Sequence, residues 1–309
     1  MVRIGIIGIG FMGMIHYYGA KKVNGCQVTA ICTRSPKKLD GDWTSIQGNF
    51  GPRGGIEDLS NVATYNRIED LLADPNVDLV NICLPTEYHK EVTIAALKAG
   101  KHVLCEKPCG IDTAELKAQL AACNEAGVQF MDGVMFMHST RLDALSETMT
   151  GGSIREVRRI NSQFSFNAGE DFLTGNIRMH SDLEPLGCLG DLGWYNIRFS
   201  LWAMDYAMPQ AVSGRMLRGA ARSDSPDKVP MEFSGELFYE NGVTASYYCS
   251  FVTGNQQWAH VCGTEGSLRL DDFVVTYYVA EVKYTVSNTE SNQHVCDFTM
   301  EEHDRTVAV

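Results

Sequence analysis

The sequence lacks several features that would each define a class of protein. Its 10 cysteines include no C-x-x-C pair. No apolar run reaches the roughly 18 residues that a membrane-crossing helix needs. Basic residues are in deficit, with 26 Lys and Arg against 38 Asp and Glu, a net charge of −12 and a pI near 5.1. A surface of that sign repels a phosphate backbone, so general nucleic-acid binding is excluded. A small anionic ligand stays open, because one glycine-rich turn or one Arg acts locally. Cys26, Cys32, Cys83, Cys105 and Cys262 sit in apolar runs, which suits reduced, buried thiols and not a disulfide framework. Residues 4–15 are apolar, yet only Arg3 precedes them as a basic group and no small-residue cleavage site follows, so they are not read as an export signal. The chain reads as a soluble, cytoplasmic protein without a membrane segment.

What is present suggests about two domains in 309 residues, enough chain for a substantial core. Residues 1–130 alternate short apolar runs with helical patterns, the signature of βαβ units and a mostly parallel, doubly wound sheet. Strands are expected at Val2–Ile7, Gln27–Cys32, Leu79–Leu84, His102–Cys105 and Gln129–Phe136, and helices at Met12–Lys22, Glu91–Ala99 and Thr113–Ala126. Asp112 caps the last of these, with Glu115 completing a capping box. Residues 34–65, rich in Gly, Asp, Asn and Ser, read as a surface excursion. Residues 131–309 have a different texture, with strand-like runs at 154–166, 231–239, 244–252 and 257–270 and one helix from about Asp191 to Ala203. That pattern implies an α+β domain on an open, mostly antiparallel sheet.

The strand Val2–Ile7 runs into Gly8-Ile9-Gly10-Phe11-Met12-Gly13, a G-x-G-x-x-G turn that opens a helix. In that context the glycines allow a tight turn, close approach of a pyrophosphate and close helix–strand packing. The acidic residue expected about 20 positions later, which grips the ribose hydroxyls, is missing. Cys32-Thr33-Arg34-Ser35 stands there instead. Thr33 and Arg34 suit a ribose 2′-phosphate, which favours NADP over NAD, although Arg34 also fits a solvated loop.

Glu106-Lys107-Pro108 follows the strand His102–Cys105, and Leu84-Pro85-Thr86-Glu87-Tyr88-His89 ends the strand before it. Ligands of open α/β sheets bind along this carboxyl edge. Together with the glycine turn, these stretches resemble the glucose–fructose oxidoreductase, inositol dehydrogenase and rhizopine-catabolism (Gfo/Idh/MocA) family. Met131–His138 and Gly187–Tyr195 resemble most the branch of glucose–fructose oxidoreductase and dihydrodiol dehydrogenase. The resemblance implies an NAD(P)-binding Rossmann domain, then a second domain that binds substrate and often forms a homodimer or higher homo-oligomer through its sheet. It also implies a further helical segment after that sheet, so the sequence, stopping at Val309, looks short.

By the same resemblance Lys107 is the catalytic lysine and Tyr195 stands where many members carry His. Oxidising an alcohol removes a hydride from carbon and a proton from oxygen. A phenol near 10 in water needs a neighbouring cation to act as base at neutral pH. Tyr195 is therefore expected to exchange the proton, Lys107 to polarise the substrate oxygen and Asp191 to orient substrate hydroxyls. Asp191 and Tyr195 are four apart on the expected helix and so share a face. Read without the family, Asp191 also fits a helix N-cap and Tyr195 a core position. Leu84, Pro85, Thr86, His89 and Glu106 are expected at the nicotinamide, and His138 and Arg178 at the substrate. His180 and Asp182 form no metal constellation, and no metal is expected. The expected activity is hydride transfer between NADP or NAD and a sugar, polyol or dihydrodiol-like alcohol. A cofactor-recycling glycosidase and a non-catalytic regulator of the same fold are the rival readings.

Overall fold

Parallel strands are covered on both faces, so their sequences must be apolar on both sides. The first strand, β1 (Val2–Ile7), buries Ile4, Ile6 and Ile7 in this way. The computed structural model describes residues 1–48, 52–275, 281–288 and 292–299. The chain divides into two compact units, one of Met1–Met135 and one beginning at Phe136.

In the first unit β1 is followed by α1 (Phe11–Ala20), β2 (Cys26–Cys32), α2 (Pro36–Leu39), β3 (Ala63–Tyr65), α3 (Ile68–Ala73), β4 (Leu79–Ile82), α4 (His89–Lys98), β5 (His102–Cys105), α5 (Thr113–Ala126) and β6 (Phe130–Asp132). The six strands are parallel in the order β3-β2-β1-β4-β5-β6. This order reverses between β1 and β4, which is where such sheets bind ligands. Helix α5 starts and stops as its sequence requires. Asp112 accepts the Glu115 N–H at 2.9 Å, and Gly127, at φ 66°, ends the helix in the left-handed region. Two expected strands are shorter than their apolar runs. β4 stops at Ile82 ahead of Pro85, and β6 stops at Asp132, where Gly133 packs against Glu106.

The second unit comprises α6 (Thr140–Thr150), β7 (Val157–Asn167), α7 (Glu170–Gly175), α8 (Trp194–Ala203), β8 (Ala211–Ala220), β9 (Val229–Phe238), β10 (Thr244–Ser250), β11 (Val252–Gly263), β12 (Gly266–Leu270), β13 (Glu281–Asn288) and β14 (Asn292–Thr299). The strands form one sheet in the order β14-β13-β12-β11-β7-β10-β9-β8. β7 and β10 run parallel, and the other described pairs are antiparallel. β8 has no counterpart among the expected strands, because eight of its 10 residues are exposed. As an edge strand open on both faces, it carries no apolar alternation to read.

The stretch 34–65 differs from the surface excursion expected of it. Trp43 is fully buried, its ring edge-on to Tyr17 of α1 with centroids 4.8 Å apart. Its indole Nε1 donates to Lys38 O at 2.9 Å, and Ile46 is buried beside it. Tyr18 on the next position of α1 donates to Glu57, so the segment is tied to the helix at two points. Among the described residues of this stretch, polar composition concealed Trp43, a large apolar anchor. Truncation of Trp43 to Ala is expected to destabilise the fold by about 3–5 kcal/mol. Urea unfolding of the variant measures this as a fall in midpoint at unchanged slope.

Candidate active site

The glycine turn is built by exclusion. A Cβ on Gly8, which lies at φ 93°, would collide with the Cys83 carbonyl, and one on Gly13 with the Gly8 carbonyl. A Cβ on Gly10 would meet nothing within 4 Å. Gly8 therefore packs the turn against the end of β4 and Gly13 packs the helix against the turn, while Gly10 leaves open space over the N-terminus of α1. The first turn of α1 carries no acidic residue, and no side chain caps it. Its backbone N–H groups and dipole suit a phosphate pair, so this turn fits a dinucleotide. Ile9 is buried, while Phe11 and Met12 are half-buried at the start of the helix.

At the end of β2, Arg34 is exposed and Thr33 half-buried, with Thr33 Oγ1 accepting the Ser35 N–H. The structure adds Lys38, which sequence reasoning missed. Its ammonium donates to Ile9 O at 2.6 Å, inside the glycine turn, and burial pushes its pKa down. The signal was weak, since Lys37-Lys38 reads as a solvated pair.

The ends of β4 and β5 meet through His89. Its Nδ1 lies 2.6 Å from Pro108 O and its Nε2 2.8 Å from Leu84 O, so the ring bridges the two strand ends. His89 and Thr86 are buried, and Leu84 and Pro85 are half-buried beside them. The Lys107–Pro108 peptide is cis. Lys107 is half-buried and Glu106 buried. The Glu106 carboxylate accepts His16 Nε2–H at 2.8 Å and the Lys107 N–H at 3.3 Å. Burial pushes this carboxyl up. The His16 hydrogen bond and the charge and N–H of Lys107 more than reverse that push and hold it below its ordinary value.

In the second unit Asp191 and Tyr195 are positioned by an unusual turn. Leu189–Gly193 form a π-helical turn that leads into α8. Three glycines seat it. Gly187 adopts φ 47°, and a Cβ there would strike the Pro230 carbonyl. Gly190 is buried, and a Cβ on Gly193 would lie 2.9 Å from Leu189 and 3.2 Å from Cys249 Sγ. Asp191 therefore lies inside a helical turn and is not the N-cap of α8. Its carboxylate pairs with Arg178 Nε at 2.7 Å, the two side chains being 14% and 33% exposed. Burial disfavours the Arg178 charge, and Asp191 outweighs it, so the guanidinium is held above its ordinary value. Tyr195 is buried with its ring against Phe164 and Phe136, at centroid distances of 5.6 Å and 6.0 Å. The structure thus brings Arg178 and Asp191 together. It leaves His138 exposed at the end of the helical turn Met135–His138. No group of three or more His, Cys, Asp or Glu among the described residues is arranged to hold a metal ion.

The two units match two family models. Residues 2–134 match the model described as "Oxidoreductase family, NAD-binding Rossmann fold", and residues 142–269 the GFO/IDH/MocA C-terminal domain. The chain belongs to the GFO/IDH/MocA oxidoreductase family. Among similar members is D-xylose 1-dehydrogenase (NADP(+)) 2 of Haloferax volcanii, 32% identical over 86% of this chain and 75% of that protein. Trans-1,2-dihydrobenzene-1,2-diol dehydrogenase of Mus musculus is 28% identical over 67% of this chain, and the match spans 59% of that relative's length. A 3-ketoreductase from Actinomadura kijaniata, solved with NADP and TDP-benzene, shares the fold. Its TM-score is 0.80 at 20% identity, covering 99% of this chain and 87% of that one.

Because its folded pKa lies below the unfolded value, Glu106 contributes stability that is present above the ordinary carboxylate range and lost as pH falls through the folded pKa. Glu106→Gln is expected to lower Tm at neutral pH and to flatten the fall in Tm between about pH 5 and pH 3. Thermal unfolding across that range measures both effects.

Proposed function

We propose that this protein is an NAD(P)-dependent oxidoreductase that transfers hydride between a nicotinamide cofactor and a sugar, polyol or dihydrodiol-like alcohol or carbonyl. One observation carries the reading. Glu106-Lys107-Pro108 lies at the carboxyl end of β5, in a sheet whose β1 ends in a glycine turn with open space over Gly10. The names of the relatives, dehydrogenases of D-xylose and of dihydrodiols, favour this reading over the glycosidase and regulator alternatives.

Backbone N–H groups of Gly8–Gly13 would hold the pyrophosphate. Thr33, Arg34 and Lys38 would receive the ribose end, where the two cations favour the 2′-phosphate of NADP. Leu84, Pro85, Thr86, His89 and Glu106 would shape the nicotinamide end. Bound there, the cofactor supplies or accepts the hydride. Lys107 polarises the substrate oxygen as an ammonium, and Tyr195, its ring fixed by Phe136 and Phe164, gives or takes the proton. Asp191, held by Arg178, orients substrate hydroxyls, and Arg178 and His138 provide further polar contacts.

The proposal extends to assembly and compartment. A homodimer or higher homo-oligomer formed through the second unit's sheet is supported by Val212, Met216 and Leu217, apolar and exposed on β8. A reducing cytoplasm is supported by the cysteines, nine of which are free thiols among the described side chains. No described helix is long and apolar enough to cross a membrane.

In thermal unfolding, NADP at 100 times its Kd is expected to stabilise the protein by about 2.7 kcal/mol. Arg34→Ala and Lys38→Ala are expected to weaken NADP more than NAD, and a larger shift with NAD in the wild type would reverse the cofactor preference. Lys107→Met and Tyr195→Phe are expected to lower kcat by about 10²–10⁴-fold with the fold intact. Full turnover by Tyr195→Phe would assign the proton to another group.

A further inference from the structure

The carboxylate beside Lys107 is held by a residue with no assigned role. His16 lies one turn after Gly13, on the same face of α1. Since Gly13 packs against Gly8, that face is driven toward the sheet, and the His16 side chain is only 9% exposed. Its Nδ1 accepts from Asn81 Nδ2 of β4 at 3.3 Å, while its Nε2–H donates to Glu106 Oε1 at 2.8 Å. Asn81 and Glu106 together fix the plane and bearing of the ring, with Nε2 turned to the carboxylate.

A Cβ on Gly133 would lie 3.2 Å from Glu106 Oε1, so a larger residue there would crowd the carboxylate. The groups that face it are His16 from α1, Cys83 just beyond β4, the adjoining Lys107 and Gly133 just beyond β6, with Asn81 of β4 behind His16. Burial, and after it the Glu106 charge, push the Cys83 thiol well up. A buried carboxylate with too few donors takes up a proton, and an ammonium in a desolvated site loses its own unless a fixed negative charge answers it.

We propose that His16 is a positioning residue that, by donating to Glu106, maintains this carboxylate as the fixed counter-ion of Lys107. The inference rests on the reading of Lys107 given above. His16 itself touches neither substrate nor reacting atoms. It acts through Glu106, and it links the helix at the phosphate turn to the catalytic ammonium.

The test uses the full chain without cofactor. Lysines are reductively dimethylated with ¹³C-formaldehyde, and the Lys107 resonance is assigned by its absence in Lys107→Arg. The ¹³C titration of Lys107 is then followed in wild type, Glu106→Gln, His16→Leu and His16→Gln. The midpoint is expected to fall by about half a pH unit or more in Glu106→Gln and His16→Leu. His16→Gln, whose amide N–H replaces the lost donor, is expected to restore it. In carbonyl reduction the alkaline limb of kcat should move to lower pH in the same order, with the cofactor KM changed by less than about threefold. An unchanged midpoint in Glu106→Gln or in His16→Leu would overturn the proposal, as would a loss confined to cofactor KM. Should His16→Leu fail to fold, His16→Met takes its place, read against His16→Gln. Shifted midpoints in a protein that turns over no sugar or diol would sustain the relay and defeat the proposed reaction.

Discussion

Helix α1 rests on the turn after β1 at a separation that admits no side chain at Gly13, and that turn rests on the end of β4 with no room for one at Gly8. That steric constraint orders much of the first unit. It points the N-terminus of α1 at the place where the strand order reverses, turns His16 inward to Glu106, and presents Tyr17 to Trp43. Phosphate turn, buried carboxylate and the anchored 34–65 segment are therefore consequences of this close packing.

In the second unit polar groups are ordered in another way. Arg178 and Asp191 come from separate turns and satisfy each other, so Asp191 is held without being consumed as a cap. Tyr195 is fixed by aromatic rings, which restrict its orientation through shape. A charged pair and a phenol thus sit on one short stretch of chain, each immobilised by a different kind of force.

Elements whose signals are local were legible in the sequence. Helix α5 was marked by Asp112 and Glu115, β5 by a compact apolar run, and the phosphate turn by its glycine spacing. Elements defined by distant partners were not. His16 is one polar residue in a helix until Glu106, 90 positions away, is seen beside it. Trp43 lies in a stretch whose average composition is polar, and nothing local in the sequence ties Lys38 to Ile9, 29 positions before it. The edge strand β8 is exposed on both faces, so alternation could not reveal it. The helix near Asp191 was expected to begin there, since spacing alone does not distinguish a π-helical turn from an α-helical start.

That turn has an effect on phase. A wide turn accommodates one residue more than the regular spiral, and each residue of an α-helix advances the azimuth by about 100°. Everything downstream of Gly193 inherits the offset, including the bearing of Tyr195 relative to Asp191. The extra residue is taken up inside the turn, so Asp191 meets Arg178 on a different azimuth from the one that regular α-helical spacing to Tyr195 would give it.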